Sequence, residues 1–335
     1  MRVAVIGAGS WGTAFAGMLA RSGHEVFLWA RRSELVEEIN TQRTNTQYLS
    51  DYTIPRTVEA KSNISELVAG VSALILATPS VALKESCQKL APYLPREVPV
   101  CVLTKGIDAQ EGLTMSELAA EVLGGPERMA ALSGPNHAEE IARGLPAAAV
   151  VASYQPQIAQ FFQNLVSCEH FRVYTSEDLL GVELCAASKN VIALAAGIAA
   201  GYKLGDNCLA LIMTRGLAEM SRLVHAMGAS AQTCMGLAGM GDLIATCTSE
   251  NSRNRSFGLS FAQGESLEEF QSRRHMVVEG ARACIAIKKL AEELQVDMPI
   301  TRAVHALLYE GASFEEQMKS LFARMQTEEF YGLEA

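Results

Sequence analysis

Short apolar runs alternate with amphipathic stretches through the first half of the chain. The apolar runs have the length of β-strands and lie at residues 2–6, 25–30, 73–77, 98–103, 129–132, 147–152 and 171–174. The amphipathic stretches have the period of α-helices and lie at residues 13–21, 33–40, 64–69, 81–90, 113–122, 138–143 and 156–165. Residues 41–60 are polar and irregular. Strands that alternate with helices predict a parallel sheet, doubly wound with helices on both faces.

Beyond about residue 180 the pattern predicts helices and no further strand. An alanine-rich helical pattern covers residues 181–200, and later helical patterns cover residues 209–227, 266–270, 279–294, 299–309 and 314–322. A chain of 335 residues exceeds the size at which a single core usually stops growing. We therefore predict an α/β domain over residues 1–185, followed by an all-helical substrate-binding and catalytic domain over residues 186–335.

Three glycines directly follow the first predicted strand. Gly7, Gly9 and Gly12 form the pattern G-x-G-x-x-G, and a predicted helix comes immediately after them. The first glycine permits a tight turn, the second lets a pyrophosphate approach the backbone, and the third lets helix and strand pack closely. The helix N-terminus offers unpaired N–H groups to that anion. This order of strand, loop and helix predicts a Rossmann-type dinucleotide-binding domain in the first half of the chain.

The end of the second predicted strand bears on the choice of cofactor. In NAD-binding domains an acid at this position hydrogen-bonds the ribose 2′-hydroxyl. Here the strand ends in Arg31 and Arg32, with no acid among residues 29–32. Two guanidiniums can pair with a 2′-phosphate through charge-assisted hydrogen bonds. The sequence therefore favours NADP(H), with NAD(H) also accommodated; the alternative is that both arginines form a solvated helix start.

One cation interrupts an apolar helical stretch that carries almost no other charge. Lys189 lies in the stretch 185–196, which reads Cys-Ala-Ala-Ser-Lys-Asn-Val-Ile-Ala-Leu-Ala-Ala. Burial in such a helix disfavours the ammonium form, which would lower the pKa of Lys189 and suit acid–base catalysis near neutral pH. A lysine that extends from a core helix to solvent explains the same residues equally well.

Other residues carry chemistry that suits a phosphorylated ligand. Lys105 follows a strand of the predicted parallel sheet, at the edge where doubly wound folds bind ligands, although solvated lysines also occur there. Asp242 is the single acid of a glycine-rich stretch. Ser252, Arg253 and Asn254 supply hydroxyl, guanidinium and amide donors to a phosphate, although an ordinary polar loop explains them as well.

Composition limits the partners and the compartment. The formal net charge of −9 argues against non-specific binding of nucleic acid, because a phosphate polymer would be repelled. None of the eight cysteines lies in a C-x-x-C pair, which indicates free thiols in a reducing compartment. The longest uncharged apolar run, residues 191–200, is too short to span a bilayer. We expect a cytoplasmic protein with no nucleic-acid partner, no membrane association and no metal site.

Six motifs occur in order along the chain: residues 7–12 (Gly-Ala-Gly-Ser-Trp-Gly), 105–106 (Lys-Gly), 133–138 (Ser-Gly-Pro-Asn-His-Ala), 187–190 (Ala-Ser-Lys-Asn), 236–242 (Gly-Leu-Ala-Gly-Met-Gly-Asp) and 251–255 (Asn-Ser-Arg-Asn-Arg). In this combination the chain resembles the bacterial NAD(P)-dependent glycerol-3-phosphate dehydrogenases over essentially its whole length. The resemblance implies reduction of dihydroxyacetone phosphate to sn-glycerol 3-phosphate, a precursor of membrane phospholipids. It also implies a cytoplasmic homodimer.

The resemblance further implies roles for single residues. Lys189 matches the position of the family's proton donor and acceptor. Substrate contacts are implied for Lys105, Gly134, Asn136, Lys189, Asp242, Ser252, Arg253 and Asn254. Cofactor contacts are implied for Gly7, Gly9, Ser10, Trp11, Gly12, Arg31, Arg32, Lys105, Ala138, Arg253, Val277 and Glu279.

Two other functions fit part of the sequence. The β-hydroxyacid dehydrogenases also join a Rossmann domain to a helical domain that carries a lysine, and they would imply another small phosphorylated or carboxylated substrate. The cluster at residues 252–254 favours a phosphorylated one. A cofactor-binding regulator without catalysis is the second alternative, but such a protein has no need of a lone lysine in an apolar helix.

Overall fold

The chain folds into two compact units. The computed structural model describes residues 1–274, 277–329 and 331–332. The first unit comprises Met1–Lys105 and Met115–Leu179. The second comprises Gly106–Thr114 and Leu180–Ala335.

The first unit is built on one eight-stranded sheet. Its strands are β1 (Arg2–Ile6), β2 (Glu25–Trp29), β3 (Val58–Lys61), β4 (Ala73–Leu76), β5 (Val100–Val102), β6 (Met129–Ser133), β7 (Ala147–Ala152) and β8 (Phe171–Ser176). Their spatial order is β3-β2-β1-β4-β5-β6-β7-β8. All neighbours are parallel except β6 and β7, which pair antiparallel. The strand order reverses between β1 and β4, so the predicted doubly wound sheet is confirmed, and its parallel strands end along one edge.

The helices of the first unit cover the sheet. They are α1 (Ser10–Arg21), α2 (Ser33–Gln42), α3 (Ile64–Leu67), α4 (Ser80–Leu90), α5 (Met115–Leu123), α6 (Ala138–Ala142) and α7 (Pro156–Val166). Side chains of β1 and β4 such as Val5 and Ile75 pack with Phe15 of α1 in a fully buried apolar core. Burial on both faces explains why these strands are apolar at every position except the exposed Arg2, which begins β1.

The strand β3 is an element that the sequence analysis misses. It has only four residues, and it pairs with β2 alone at the edge of the sheet. Val58 and Ala60 are buried, whereas Glu59 is exposed. Because buried and exposed residues alternate over only these few positions, the sequence of β3 cannot be distinguished from the irregular stretch 41–60.

Helices make up the second unit. From residue 179 onward they are α8 (Leu179–Gly201), α9 (Gly205–Ala226), α10 (Asp242–Thr248), α11 (Arg253–Phe261), α12 (Leu267–Arg274), α13 (Glu279–Glu293), α14 (Pro299–Tyr309) and α15 (Phe314–Phe322). No strand occurs among the described residues of this unit, in agreement with the predicted all-helical C-terminal domain. Neither α10 nor α11 is predicted from the sequence. α10 follows a glycine-rich stretch, and α11 is largely polar.

The long helix α8 forms the core of the second unit. By length and composition it could cross a membrane, and it is the one helix in the described part of the chain of which this is true. However, 89% of its most apolar window is buried inside the structure, as in a core helix. The domain boundary predicted between residues 185 and 186 falls within this helix.

Two glycines bring α11 against α8. A Cβ atom on Gly197 would lie 2.1 Å from the carbonyl oxygen of Arg255, and one on Gly258 would lie 2.3 Å from that of Leu194. No carbon approaches an oxygen so closely, so both positions require glycine. As a result, α11 packs along the helix that carries Lys189.

Candidate active site

The glycine turn after β1 is held by close backbone contacts. Gly7 has a φ of 115°, which favours glycine, and a Cβ atom there would lie 2.8 Å from the carbonyl oxygen of Ala77. A Cβ atom on Gly12 would lie 1.8 Å from the carbonyl oxygen of Gly7. Both glycines therefore have the structural roles predicted for the first and third positions of the motif.

Gly9 differs from its two neighbours in the motif because it faces open space. No heavy atom lies within 4 Å of a Cβ atom built at this position, among the residues that the structure describes. Gly9 immediately precedes α1, and Ser10 and Trp11 form its first turn. The Ser10 hydroxyl donates to the carbonyl oxygen of Tyr48 at 2.7 Å. This opening at a helix N-terminus fits the close approach of a pyrophosphate.

The two arginines after β2 are both exposed. Arg32 precedes α2 and donates to the side-chain oxygen of Gln47 at 2.5 Å. Arg31 comes directly after the buried Ala30. The indole nitrogen of Trp29 donates to the carbonyl oxygen of Ser62 at 3.0 Å, which fixes the end of the strand. The structure thus places two exposed arginines at the end of β2.

Lys105 and Gly134 meet at the ends of neighbouring strands. Lys105 Nζ donates to the carbonyl oxygen of Gly134 at 3.4 Å. Gly134 has a φ of 151°, and a Cβ atom there would lie 2.8 Å from the carbonyl oxygen of Ala148. Asn136 Nδ2 donates to the same carbonyl oxygen at 3.0 Å. Its Oδ1 is buried with no hydrogen-bond partner in the described part of the chain, and such an atom suits a hydroxyl or N–H donor of a ligand. Ala138 begins α6 just beyond.

Lys189 is buried and paired in the second unit. Its side chain is 7% exposed, and its ammonium donates to Asp242 Oδ1 at 3.0 Å and to Thr246 Oγ1 at 2.7 Å. The Thr246 hydroxyl in turn donates to Asp242 Oδ1 at 3.1 Å. Asp242 and Thr246 are four residues apart on α10, so they face Lys189 from one side of that helix. The interpretation of Lys189 as a lysine that extends to solvent is wrong, because its ammonium ends in this cluster.

The cluster of Lys189, Asp242 and Thr246 is shielded from solvent. Cys247 is the next residue after Thr246 and is fully buried, and this burial raises the pKa of its thiol to about 12. In such surroundings an ammonium is stabilised chiefly by its carboxylate partner. Among the described residues, no group of three or more histidine, cysteine or acidic side chains could hold a metal ion.

A second hydrogen-bonded group lies beside the first. Asn190 follows Lys189 on α8, and its Oδ1 accepts from Asn254 Nδ2 at 2.9 Å. Asn254 Oδ1 accepts from the backbone N–H of Gly280 at 2.8 Å. This chain of bonds connects α8, α11 and the start of α13, where Val277 and Glu279 lie.

Three consecutive residues at the start of α11 have different surroundings. The Ser252 hydroxyl caps the helix by accepting from the backbone N–H of Arg255 at 3.2 Å. Asn254 is buried, as its two hydrogen bonds require. Arg253 is exposed, and its side chain makes no hydrogen bond or ion pair with any other described residue. Of the three side chains, the guanidinium of Arg253 is the one that faces solvent and can take up an anion directly.

Family models match nearly the whole chain. Residues 2–159 match the model for the N-terminus of NAD-dependent glycerol-3-phosphate dehydrogenase, and residues 178–319 match the model for its C-terminus. The chain belongs to the NAD-dependent glycerol-3-phosphate dehydrogenase family. The resemblance drawn from the motifs is confirmed.

Relatives and a solved structure agree with this membership of the glycerol-3-phosphate dehydrogenase family. A glycerol-3-phosphate dehydrogenase [NAD(P)+] of Shouchella clausii is 43% identical over 99% of this chain and 98% of its own length. One of Pelotomaculum thermopropionicum is 44% identical over 98% of this chain and 95% of its own length. The crystal structure of the enzyme from Coxiella burnetii superposes with a TM-score of 0.91 at 37% identity, covering 96% of this chain and 99% of the other.

These matches confirm the predicted enzyme class. Members of the glycerol-3-phosphate dehydrogenase family are NAD(P)-dependent oxidoreductases that act on a CH–OH group. The prediction of a nicotinamide cofactor is confirmed in this general form.

Two polar residues of the candidate site are given no role by the sequence. Thr246 bridges Lys189 and Asp242, and Asn190 holds Asn254. A signal for Thr246 exists in the sequence, because it lies four residues after Asp242 and would share its face if the stretch were helical. Asn190 carries no such signal, since its partner lies 64 residues away.

The glycine turn allows a matched test of cofactor binding. Gly12→Ala places a Cβ atom against the backbone of Gly7, so we expect a lower Tm and loss of NADPH binding. Gly9→Ala meets no described atom, so we expect a nearly unchanged Tm and a Kd for NADPH raised by about tenfold or more, since about 1.4 kcal/mol corresponds to a factor of ten. Thermal unfolding and NADPH fluorescence titration measure the two quantities. If Gly9→Ala binds NADPH as tightly as the wild type, this turn does not hold the pyrophosphate.

Proposed function

We propose that this chain reduces dihydroxyacetone phosphate to sn-glycerol 3-phosphate with a nicotinamide cofactor, and that Lys189 transfers the proton. The observation that carries the proposal is the buried cluster in which the Lys189 ammonium contacts Asp242 and Thr246. A buried, paired lysine in an otherwise apolar helix is an arrangement for moving a proton. Membership of the glycerol-3-phosphate dehydrogenase family supports the choice of substrate.

Lys189 completes the reduction of the ketone. The bound nicotinamide supplies a hydride to the carbonyl carbon of the substrate. Negative charge then develops on the carbonyl oxygen, and the Lys189 ammonium stabilises that charge by donating a hydrogen bond and gives up its proton to the oxygen. In the oxidative direction the neutral amine accepts the proton of the hydroxyl.

Asp242 and Thr246 hold the Lys189 side chain for this step. A lysine has many rotamers, and two hydrogen bonds from its ammonium fix one of them before the substrate binds. The Asp242 carboxylate favours the charged form of Lys189, whereas burial disfavours it. The ion pair with Asp242 therefore supports the ammonium form that the reduction requires.

Lys105, Gly134 and Asn136 contact the substrate in this proposal. The buried Oδ1 of Asn136 accepts from a substrate hydroxyl, and Lys105 donates to a substrate oxygen. The cofactor pyrophosphate binds at the glycine turn, through Gly7, Gly9, Ser10, Trp11 and Gly12. Further cofactor contacts come from Arg31, Arg32, Lys105, Ala138, Arg253, Val277 and Glu279. The open face of Gly9 supports this assignment.

Arg253 holds the substrate phosphate in this proposal, with Ser252 and Asn254 fixing the start of its helix. A charge-assisted hydrogen bond contributes about 1.5–3 kcal/mol. At saturating NADPH, which offsets any loss of cofactor binding, we therefore expect Arg253→Ala to lower kcat/KM for dihydroxyacetone phosphate by roughly 10- to 100-fold and to leave the slow reduction of unphosphorylated dihydroxyacetone unchanged. Arg282→Ala, an exposed arginine on α13, is the matched control and should behave as wild type. Equal losses on both substrates would show that Arg253 does not bind the phosphate.

Arg31 and Arg32 make NADPH the preferred cofactor in this proposal, with NADH also accepted. Two exposed guanidiniums at the end of β2 support it. We expect a higher kcat/KM for NADPH than for NADH, and we expect Arg31→Ala/Arg32→Ala to remove most of that difference by weakening NADPH alone. Arg56→Ala, an exposed arginine of the same unit, is the control. A strong preference of the wild type for NADH contradicts the proposal.

We also propose that the protein works in the cytoplasm as a homodimer, without a membrane or a nucleic acid, and supplies sn-glycerol 3-phosphate for phospholipid synthesis. The resemblance to the bacterial enzymes supports these points. None of the eight cysteines, all of which lie in the described part of the chain, forms a disulfide, as is usual in a reducing compartment.

The test of the proposed activity is the oxidation of NADPH on addition of dihydroxyacetone phosphate, followed by absorbance at the nicotinamide band. We expect rapid oxidation with dihydroxyacetone phosphate and far slower oxidation with dihydroxyacetone. Equal rates of NADPH oxidation with both ketones, or oxidation of NADPH only by a keto acid, would favour a β-hydroxyacid dehydrogenase. No oxidation with any small ketone would favour a cofactor-binding regulator.

A further inference from the structure

Two buried cysteines lie in contact within the second unit. The Sγ atoms of Cys185 and Cys234 are 3.5 Å apart, and both side chains are fully buried. Cys185 lies on α8, and Cys234 lies in the short helical turn Ala231–Met235, 49 residues later in the chain. Both are thiols in the structure. The pair therefore joins two elements that are distant in sequence.

Both elements lead directly to the proposed proton-transfer cluster. Cys185 is four residues before Lys189, so the two side chains share a face of α8. Cys234 is packed against the segment that precedes Asp242, because a Cβ atom on Gly239 would lie 2.1 Å from the carbonyl oxygen of Cys234. A movement of Cys234 relative to α8 must therefore displace the segment that carries Asp242.

We propose that Cys185 and Cys234 form a reversible redox-modification site, oxidised to a disulfide by hydrogen peroxide and reduced by small thiols, and that the disulfide lowers the activity of the adjacent Lys189 cluster. The effect on activity rests on the proposed function, whereas the disulfide itself does not. Transient disulfides of this kind are typical of redox sensing in reducing compartments.

The chemistry balances with peroxide as the oxidant. One cysteine, as its thiolate, attacks an oxygen of hydrogen peroxide; the O–O bond breaks, a sulfenic acid forms, and hydroxide takes up a proton to leave as water. The second thiol then attacks that sulfur, the S–O bond breaks, and a second water leaves. The two sulfurs lose two electrons, and one peroxide becomes two waters. Two molecules of a small thiol reverse the reaction by exchange and become a disulfide themselves.

The geometry requires a small shift that the turn can make. A disulfide needs the two sulfurs at about 2.05 Å, so they must approach by roughly 1.5 Å. The core helix α8 cannot move without disturbing its packing, whereas the segment Ala231–Gly241 consists of two short non-α turns. Rotation of the cysteine side chains together with movement of the turn therefore supplies the approach.

The turn that carries Cys234 borders solvent. Met235, the residue after Cys234, is 64% exposed. Burial alone keeps most cysteines inert. A turn with few packed side chains opens locally far more often than a core helix does, and peroxide is nearly as small as water.

Displacement of Asp242 weakens its contact with Lys189. Misplacement of a positioning group by about 1 Å can lower a rate by about 100-fold. We therefore expect oxidation to lower kcat by about 10- to 100-fold, with little change in the Kd for NADPH.

The experiment treats the full-length protein with hydrogen peroxide, blocks the remaining thiols, and maps disulfide-linked peptides by mass spectrometry before and after dithiothreitol. The proposal expects one dominant linked pair, Cys185 with Cys234, together with a loss of kcat that dithiothreitol restores. Cys234→Ala, compared with its own untreated sample, should keep its activity in peroxide. Cys208→Ser, a partly exposed cysteine of the same unit, should remain as sensitive as the wild type.

Three results would overturn the proposal. They are the absence of the linked pair from wild-type peptides, a linked pair with unchanged kcat, and an equal loss of activity in Cys234→Ala. The peptide map of the wild type needs no variant, so it decides the point even if Cys234→Ala does not fold. Wild-type protein that forms the linked pair but never reduces dihydroxyacetone phosphate contradicts the proposed function and leaves the disulfide established.

Discussion

Replacement of Lys189 by alanine is expected to lower kcat for dihydroxyacetone phosphate by about 10²- to 10⁴-fold, the usual contribution of a positioned acid–base group. The alkoxide that forms as the hydride arrives then has neither the hydrogen bond nor the proton that the ammonium supplies. The Kd for NADPH should stay within a few-fold of the wild type, because the glycine turn lies in the first unit and is untouched. Steady-state kinetics and NADPH titration measure the two quantities.

Lys319→Ala is the matched control for this prediction. Lys319 is an exposed lysine on α15 in the same unit, so the substitution removes an equal charge without touching the cluster. We expect its kcat to equal that of the wild type. Turnover by Lys189→Ala at a near-wild-type rate, with folding verified by Tm, would show that Lys189 is not the proton donor.

Replacement of Asp242 by alanine is expected to lower the free energy of unfolding by about 3–5 kcal/mol, the cost of removing one partner of a buried ion pair. The Lys189 ammonium, with a side chain only 7% exposed, is then left without its counter-charge. The free energy of unfolding in urea measures the effect at neutral pH. kcat should fall as well, because the ammonium is no longer held in one rotamer.

A double variant separates this explanation from a simple loss of packing. Lys189→Met/Asp242→Ala removes the stranded charge, so its free energy of unfolding should exceed that of Asp242→Ala although two residues are changed. Asp206→Ala, in the first turn of α9, is the control and should cost under about 1 kcal/mol as an exposed substitution. A double variant less stable than Asp242→Ala would mean that the buried pair does not govern stability here.

Much of the first unit could be predicted because its physics is local. β1, the glycine turn and α1 follow each other without interruption, and each element has its own signature in the sequence. β3 was not predicted, because a four-residue edge strand contains too few repeats of the buried–exposed alternation to recognise. The antiparallel pairing of β6 with β7 was not predicted for another reason. The direction of a strand depends on the path of the chain, and the composition of the strand does not reveal that direction.

The site was predictable where a residue conflicts with its surroundings. Lys189 is the one cation of a largely apolar helix, and the conflict itself indicates a role. Thr246 and Asn190 cause no such conflict, since a threonine and an asparagine are common anywhere. Their roles appear only when α10 and α11 are folded against α8, because the hydrogen-bond partners lie 57 and 64 residues away. Contacts of that range are set by packing, and no local pattern records them.

Tracing the hydride tests whether this chain reduces dihydroxyacetone phosphate as proposed. In that reaction a hydride is delivered to the ketone carbon, and Lys189 supplies the proton. The measurement is the mass and NMR analysis of the product formed from dihydroxyacetone phosphate and NADPH deuterated on the transferring face of C4. We expect sn-glycerol 3-phosphate with one deuterium at C2, formed by the wild type and at a rate lower by orders of magnitude by Lys189→Ala. Product without deuterium at C2, or no product from the wild type, would contradict the account.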